Sequence, residues 1–170
     1  MKNSLLFGLS GLSLLLVAGI FGFFYAWICS TMWGLDAADP RVAIRAMQAM
    51  NASVRNFVFA PAFFGTPWVL FGTAFAAYRA GLGQAAMMLA GAGLTYLLGA
   101  QLLTMTVNVP MNEALGATAV PESVDEARAI WAAYSPRWQV FNTIRTAVSG
   151  VSLLMTGYAI WLIGRASGQA

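Results

Sequence analysis

The sequence predicts an all-α integral membrane protein: a four-helix transmembrane bundle with two amphipathic helices that cap one end. Composition is the first reason, because 59% of the 170 residues are hydrophobic and 9% are charged, against roughly 45–50% and 25% in a typical soluble domain. The second reason is that the charged residues leave four long gaps, joined by one short connection and two long polar ones. We therefore predict a single four-span domain over residues 1–170, in the plasma membrane or a bacterial inner membrane.

The composition also excludes several classes of function. A soluble enzyme of ordinary design does not carry this much apolar surface, and a net charge of +3 is too small to indicate a nucleic-acid partner. The chain has no histidine, which excludes His-ligated zinc, haem or iron and any mechanism built on an imidazole base. Its single cysteine, Cys29, excludes an internal disulfide framework.

The four uncharged gaps define the predicted spans, at about residues 5–32, 57–78, 84–107 and 138–163. A helix needs about 20 residues to cross about 30 Å of hydrocarbon, and each gap reaches or nearly reaches that length. Because backbone polar groups in lipid must be paired within the segment, the spans are expected to be helices. The first apolar run, about 25 residues, is longer than the roughly 7–15 of a cleaved signal peptide, so we predict a retained helix.

The connections predict how the spans are arranged. Residues 79–83 form a tight hairpin, which makes spans two and three antiparallel neighbours. In the two long connections, Pro40 (after Asp39) and Pro121 each mark a helix start followed by an amphipathic pattern. The alternative is that both are solvated loops with some helix. Basic residues place the long loops in the cytoplasm, whereas the basic N-terminal start favours the opposite orientation, so the sidedness stays open.

Polar residues at the end of the third span predict a site. Asn108 and Asn112 share a helical face at i, i+4, and Gln101 and Thr104 continue that face. Glu113 follows directly. The alternative for the two asparagines is a capping role at a helix end.

The fourth span begins with a second polar face. Its members recur at spacings of three and four: Trp131, Ser135, Trp138, Asn142, Arg145, Ser149, Ser152 and Thr156. Arg145 lies about two turns inside a helix that enters the membrane at Trp138, about 10 Å deep. Such an arginine either reaches back to the interface or finds a polar partner, for which Glu113 is the nearest candidate. We predict that Asn108, Asn112, Asn142 and Arg145 converge in one pocket at the capped end.

These residues carry a family resemblance over almost the whole chain. The sequence resembles the anthrone oxygenase-like family of small four-span membrane proteins through Asn-x-Pro-x-Asn (residues 108–112), Trp131 and Trp138, and Asn-x-x-Arg (Asn142 and Arg145). The resemblance implies oxidation of anthrones to anthraquinones by molecular oxygen, with no metal, flavin or other cofactor. The sequence departs from the pattern at Thr143, where many relatives have histidine.

Two functions are therefore expected as alternatives. The first is a cofactor-independent oxidoreductase acting on a lipophilic aromatic or quinone-like molecule. Its catalytic residues would be Arg145, Asn142 and Glu113, and its substrate-binding residues Asn108, Asn112, Trp131 and Trp138. The second, favoured by the missing histidine, is a non-catalytic membrane protein, either a small-molecule binder or carrier or an interaction subunit. In either case the partners are the lipid bilayer, a lipophilic small molecule and, in an oligomer, further copies of the chain.

Overall fold

Five helices make up almost all of the computed structural model, which describes residues 2–167. They are α1 (residues 2–37), α2 (Pro40–Ser53), α3 (Phe59–Arg79), α4 (Gly83–Gly116) and α5 (Val124–Ser167). The helices α1, α3, α4 and α5 are long and apolar enough to cross a membrane. The predicted all-α class with four spans is therefore confirmed.

The four long helices form a four-sided bundle. Helices α1 and α4 each pack against both α3 and α5. The predicted hairpin joins α3 to α4, where Gly81 takes a φ of 78°, a left-handed conformation that glycine adopts without strain. The Gly81 N–H donates to the Tyr78 carbonyl and the Leu82 N–H to the Ala77 carbonyl, each at 3.0 Å. These two bonds satisfy two of the carbonyls in the last turn of α3, and the chain turns directly back as α4.

One of the two predicted capping helices is a separate element. Helix α2 begins after Asp39, which accepts the Arg41 N–H at 2.9 Å, with Pro40 in the first helical position. Its buried face, formed by Ala43, Ile44 and Met47, packs on the ends of the long helices. The polar connection after the first span thus forms a lid over one end of the bundle.

The second predicted capping helix is continuous with the fourth span. Helix α5 has 44 residues and passes through Pro136 without a break. Proline removes one backbone hydrogen bond, to Ala132, but both residues are exposed, so the freed carbonyl is not buried. Trp131 and Tyr134 bury this extension against α2, and that packing holds it helical.

Helix α4 is interrupted by two π-helical turns, Leu97–Leu102 and Thr104–Asn108. The Val109 N–H bonds the Thr104 carbonyl five residues back, one register wider than in an α-helix. Pro110 follows and has no N–H to donate. Each wide turn rotates the side chains beyond it, so the helical faces inferred from regular spacing shift in this region.

Glycines on α4 allow close approach of the neighbouring helices. The Cβ of an alanine at Gly99 would overlap the Val148 side chain of α5, and one at Gly93 would lie 2.7 Å from the Phe71 ring of α3. Small residues at such contacts are typical of transmembrane bundles.

We expect Gly99→Ala to lower the free energy of unfolding by about 1–2 kcal/mol. Overpacking costs about 1–3 kcal/mol, and the branched Val148 side chain has little rotamer freedom with which to avoid it. The higher helix propensity of alanine offsets up to about 1 kcal/mol of this cost. Gly91→Ala is the control, because its nearest neighbour is the flexible end of Met155 at 2.5 Å. Thermal melting in detergent measures both, and equal melting temperatures would contradict the packing argument.

The Asp39 cap predicts a pH-dependent contribution to stability. Hydrogen bonds from the Arg41 side chain and backbone lower the pKa of the Asp39 carboxyl from 3.8 to about 2. Because this pKa is lower in the folded protein than in the unfolded chain, the ionised carboxyl stabilises the fold at pH values above the unfolded-state pKa. The stabilisation is lost as the pH falls through the folded-state pKa. The difference in melting temperature between wild type and Asp39→Ala should therefore be constant above about pH 5 and shrink between about pH 4 and pH 2. A difference that did not change over this range would refute the coupling.

Candidate functional site

A cavity of about 500 Å³ lies at the capped end of the bundle, lined by residues of all five helices and of the α2–α3 connection. Its walls are predominantly apolar, and eight aromatic side chains contribute to them: Phe23, Phe24, Trp27, Phe57, Phe59, Phe63, Phe64 and Trp138. Such a cavity fits a flat, lipophilic molecule.

Arg145 is the buried charge of this cavity. Its side chain is 5% exposed, and its guanidinium lies over two rings, 4.2 Å from the Phe24 centroid and 5.0 Å from the Trp138 centroid. Both distances are in the range of favourable cation–π contacts. Arg145 therefore points into the bundle and does not reach back to the interface.

The hydrogen-bond partners of Arg145 are neutral. Asn142 Oδ1 accepts from Nε at 3.0 Å and from Nη2 at 2.9 Å, and Thr104 Oγ1 accepts from Nη1 at 3.3 Å. The ion pairs of the described residues do not include Arg145. A guanidinium has five N–H groups, so two of them have no partner within the described chain.

Asn142 orients this arginine. Its Nδ2 donates to the Phe24 carbonyl of α1 at 3.1 Å, which directs Oδ1 towards the guanidinium three residues further along α5. The amide is 1% exposed. Asn142 thus fixes Arg145 in position without neutralising its charge.

The predicted pairing of Glu113 with Arg145 is wrong. Glu113 binds Arg55 at 3.1 Å, and both side chains are 59% exposed. Glu113 and Arg55 line the same cavity as Arg145, but at its outer end, where the end of α2 and the α2–α3 connection approach α4. The carboxylate lies close to solvent, where an ion pair with an exposed arginine avoids the cost of burying a charge.

Asn112 holds the tryptophan that contacts Arg145. Its Oδ1 accepts from Trp138 Nε1 at 2.9 Å and from the Tyr134 hydroxyl at 2.8 Å. Trp138 also packs against Trp27, with ring centroids 5.0 Å apart. Asn112 and Arg145 are therefore linked through one indole ring.

Asn108 is close to these groups but does not line the cavity. It is fully buried, and neither Oδ1 nor Nδ2 has a hydrogen-bond partner among the described residues. Thr104 and Asn112, one turn to either side, both bond side chains of α5. The structure thus connects Asn112, through Trp138, to Arg145 and Asn142, of which Asn142 does not line the cavity, and leaves the Asn108 amide unbonded.

Trp131 lies outside the cavity. Its Nε1 donates to Asp36 Oδ1 at 2.8 Å, and the same carboxylate accepts from Ser135 at 2.7 Å and from Gln139 at 2.9 Å. Asp36 thereby fastens the end of α1 to the extension of α5. Sequence reasoning did not single out Asp36, although it is the first acidic residue after a long uncharged run.

Two cavity residues had no sequence signal of their own. Phe24 belongs to a uniformly apolar span, and Asn51 lies within an amphipathic helix in which any polar residue can face solvent. Their place in the site follows from contacts between helices.

We expect Arg145→Met to melt at or above the wild-type temperature in detergent. Removing a buried charge that has only neutral partners relieves its desolvation, which we expect to offset the loss of the two donors to Asn142 Oδ1. Asn142 Nδ2 keeps its bond to the Phe24 carbonyl. The exposed Arg137 on the same helix gives the control, Arg137→Met, which should change stability by less than about 0.5 kcal/mol. A loss of about 3 kcal/mol or more in Arg145→Met would show instead that this cation stabilises the fold.

The sequence matches a known protein family over much of its length. The family model described as anthrone oxygenase matches residues 53–155, more than half of the chain, and the match includes Asn112, Trp138, Asn142 and Arg145. Neither the curated proteins nor the solved structures give a match. On the extent of the family match, the chain belongs to the anthrone oxygenase family.

Proposed function

We propose that this protein is a membrane-embedded oxidoreductase that oxidises a lipophilic, anthrone-like aromatic molecule with molecular oxygen, without a metal or a bound cofactor. The observation that carries the proposal is Arg145, a buried cation held only by neutral groups inside an aromatic cavity. Two of its N–H groups remain for a ligand. A cation in this setting favours an oxygen atom that gains negative charge.

Anthrone chemistry matches such a cation. Loss of a proton from the C10 methylene gives an anion whose charge lies mainly on the C9 oxygen, because the central ring becomes aromatic. Arg145 would stabilise that oxygen, and Trp138 and Phe24 would contact the flat rings. This stabilisation makes the methylene a stronger acid inside the cavity than in lipid.

The remaining steps need only oxygen. The anion transfers its electrons to O2, a C10–O bond forms, and protonation gives a hydroperoxide. Loss of the second C10 proton with cleavage of the O–O bond releases water and leaves a second carbonyl. One anthrone and one O2 thus give one anthraquinone and one water.

We assign the role of base to Glu113. Among the described residues it is the one carboxylate that lines the cavity. Its position at the outer end gives the accepted proton a route to solvent, and Arg55 keeps the carboxylate on the α4 side of the opening. A carboxylate is a weak base, so the charge of Arg145 has to supply most of the driving force.

The missing histidine does not argue against this proposal. Thr143, which stands at that position, is exposed, does not line the cavity and donates to the Gln139 carbonyl at 2.9 Å. A side chain at residue 143 would thus not reach the Arg145 cavity from this face of α5. The non-catalytic alternative stays a prediction.

We expect purified protein in lipid nanodiscs to convert anthrone to anthraquinone with equal molar consumption of O2. Arg145→Met should lower kcat/KM by about 10²–10³-fold, the usual effect of removing an oxyanion donor. Arg145→Lys should be intermediate, because lysine keeps the charge and loses the planar fork. Arg137→Met, outside the cavity, should match wild type. Anthraquinone formation and O2 uptake, each corrected for protein-free oxidation, measure the rates.

Two results would contradict the proposal. One is a wild-type rate no higher than the protein-free background. The other is an Arg145→Met rate equal to that of wild type, which would mean that the buried cation takes no part.

A further inference from the structure

The cavity that holds Arg145 opens on one side of the bundle. The lining residues that α1 and α5 contribute are buried or half-buried. The exposed lining residues belong to the α2–α3 connection, α3 and α4: Arg55, Asn56, Phe57, Phe64, Met105 and Glu113. A lining side chain that is also exposed marks the edge of an opening. The mouth of the cavity therefore lies between α3 and α4, on the side of the bundle opposite to α1 and α5.

The packing of α3 and α4 accounts for this mouth. The two helices pack together over residues 83–96 of α4, next to the hairpin, and much less over residues 97–102. From residue 104 onwards α4 packs on α5 and α2. The two π-helical turns of α4 lie where it separates from α3. The gap at the capped end is thus part of the fold of α4.

The edge of the mouth changes from charged to apolar along the bundle. The ion pair of Arg55 with Glu113 lies at the outer end. Further in, the edge is formed by Phe64, which is 44% exposed, and Met105, which is 42% exposed. Phe64 lies five residues into α3, about 7 Å along the helix, and so reaches the hydrocarbon layer. The outer faces of α3 and α4 beside the mouth are also apolar and exposed, at Trp68, Leu98 and Leu102.

We propose that the cavity exchanges its occupant with the bilayer through this mouth, and that it takes ring systems that carry a long alkyl chain. The inference rests on the proposed function, in which the ring lies in the aromatic cavity with one oxygen at Arg145. The chain then leaves between Phe64 and Met105 and stays in lipid. A chain that had to leave through an aqueous opening would weaken binding about fourfold for each methylene transferred from lipid to water.

A lipid-facing mouth also sorts the species of the proposed reaction by charge. The neutral substrate enters from the hydrocarbon, where an ion is costly. The anion forms only inside, beside Arg145, and cannot return to lipid without paying that cost. The neutral quinone leaves by the route of entry. The proton leaves separately, through Glu113 at the charged end of the mouth.

The test compares anthraquinone with 2-octylanthraquinone, which adds an alkyl chain to the same ring. Tagged protein in nanodiscs is equilibrated with an excess of protein-free discs of the same lipid and then separated from them. The excess of probe in the protein-containing discs measures binding relative to lipid. We expect the wild type to bind both probes equally within about threefold, because the chain stays in lipid. A chain drawn into water would weaken binding by more than about a thousandfold.

Met105→Trp tests where the chain leaves. The larger side chain narrows the mouth, so it should weaken binding of the octyl probe about fivefold more than binding of anthraquinone. Met87→Trp is the matched control, because Met87 is also an exposed methionine of α4 but lies near the hairpin and does not line the cavity. It should keep the wild-type ratio. Phe64→Trp, on the other edge, serves as the second variant if Met105→Trp does not fold.

The outcomes separate this inference from the proposed function. Binding of anthraquinone without binding of the octyl probe overturns the lipid-facing mouth and leaves the proposed function intact. Failure of the wild type to bind either probe overturns both. A ratio in the mouth variant equal to that of wild type shows that the chain leaves elsewhere and overturns the assigned route. Failure of both mouth variants to fold would show that these side chains are structural, and would overturn it as well.

Discussion

The architecture of the capped end depends on keeping one guanidinium charged inside an apolar bundle without an anion beside it. Transfer of a cation from water to hydrocarbon is costly, and a carboxylate partner is the usual compensation. Here the compensation comes from three helices: the Phe24 ring of α1, the Thr104 hydroxyl of α4, and Asn142 with Trp138 on α5. The charge is solvated by the protein and stays available to an anionic ligand.

Most other polar contacts at this end fix those solvating groups. The Phe24 carbonyl orients Asn142, and Asn112 with Tyr134 fixes Trp138. Asp36 then fastens the extension of α5 to the end of α1, so two of the elements that hold Arg145 are tied together by further hydrogen bonds. Such second contacts keep a binding group in its productive geometry.

The sequence predicted those features that follow from the cost of charge in lipid. Four uncharged runs predict the four spans, and the polar face of the last span indicates Asn142 and Arg145 as candidate site residues. It did not predict that the second capping helix and the fourth span form one helix, because the packing of Trp131 and Tyr134 on α2, which holds α5 together across Pro136, is a tertiary contact. The π-helical turns before Pro110 shift which side chains of α4 share a face. Glu113 pairs with Arg55 because both side chains are exposed to solvent, which spacing along the chain does not show. Phe24 and Asn51 join the site through tertiary contacts alone, which regular spacing cannot predict.

The position of Trp138 makes the indole an optical probe of the cavity. The positive charge of the Arg145 guanidinium lies 5.0 Å from the centroid of the ring. The indole N–H is bonded to Asn112, so the ring cannot turn away from the field of that charge. The excited state of indole has a different dipole from the ground state, and a nearby charge therefore displaces its absorption and emission bands. When a bound anion cancels the field of the guanidinium, the displacement is reversed. The protein thus carries a built-in electrochromic reporter, which distinguishes a charged occupant from a neutral one of the same shape.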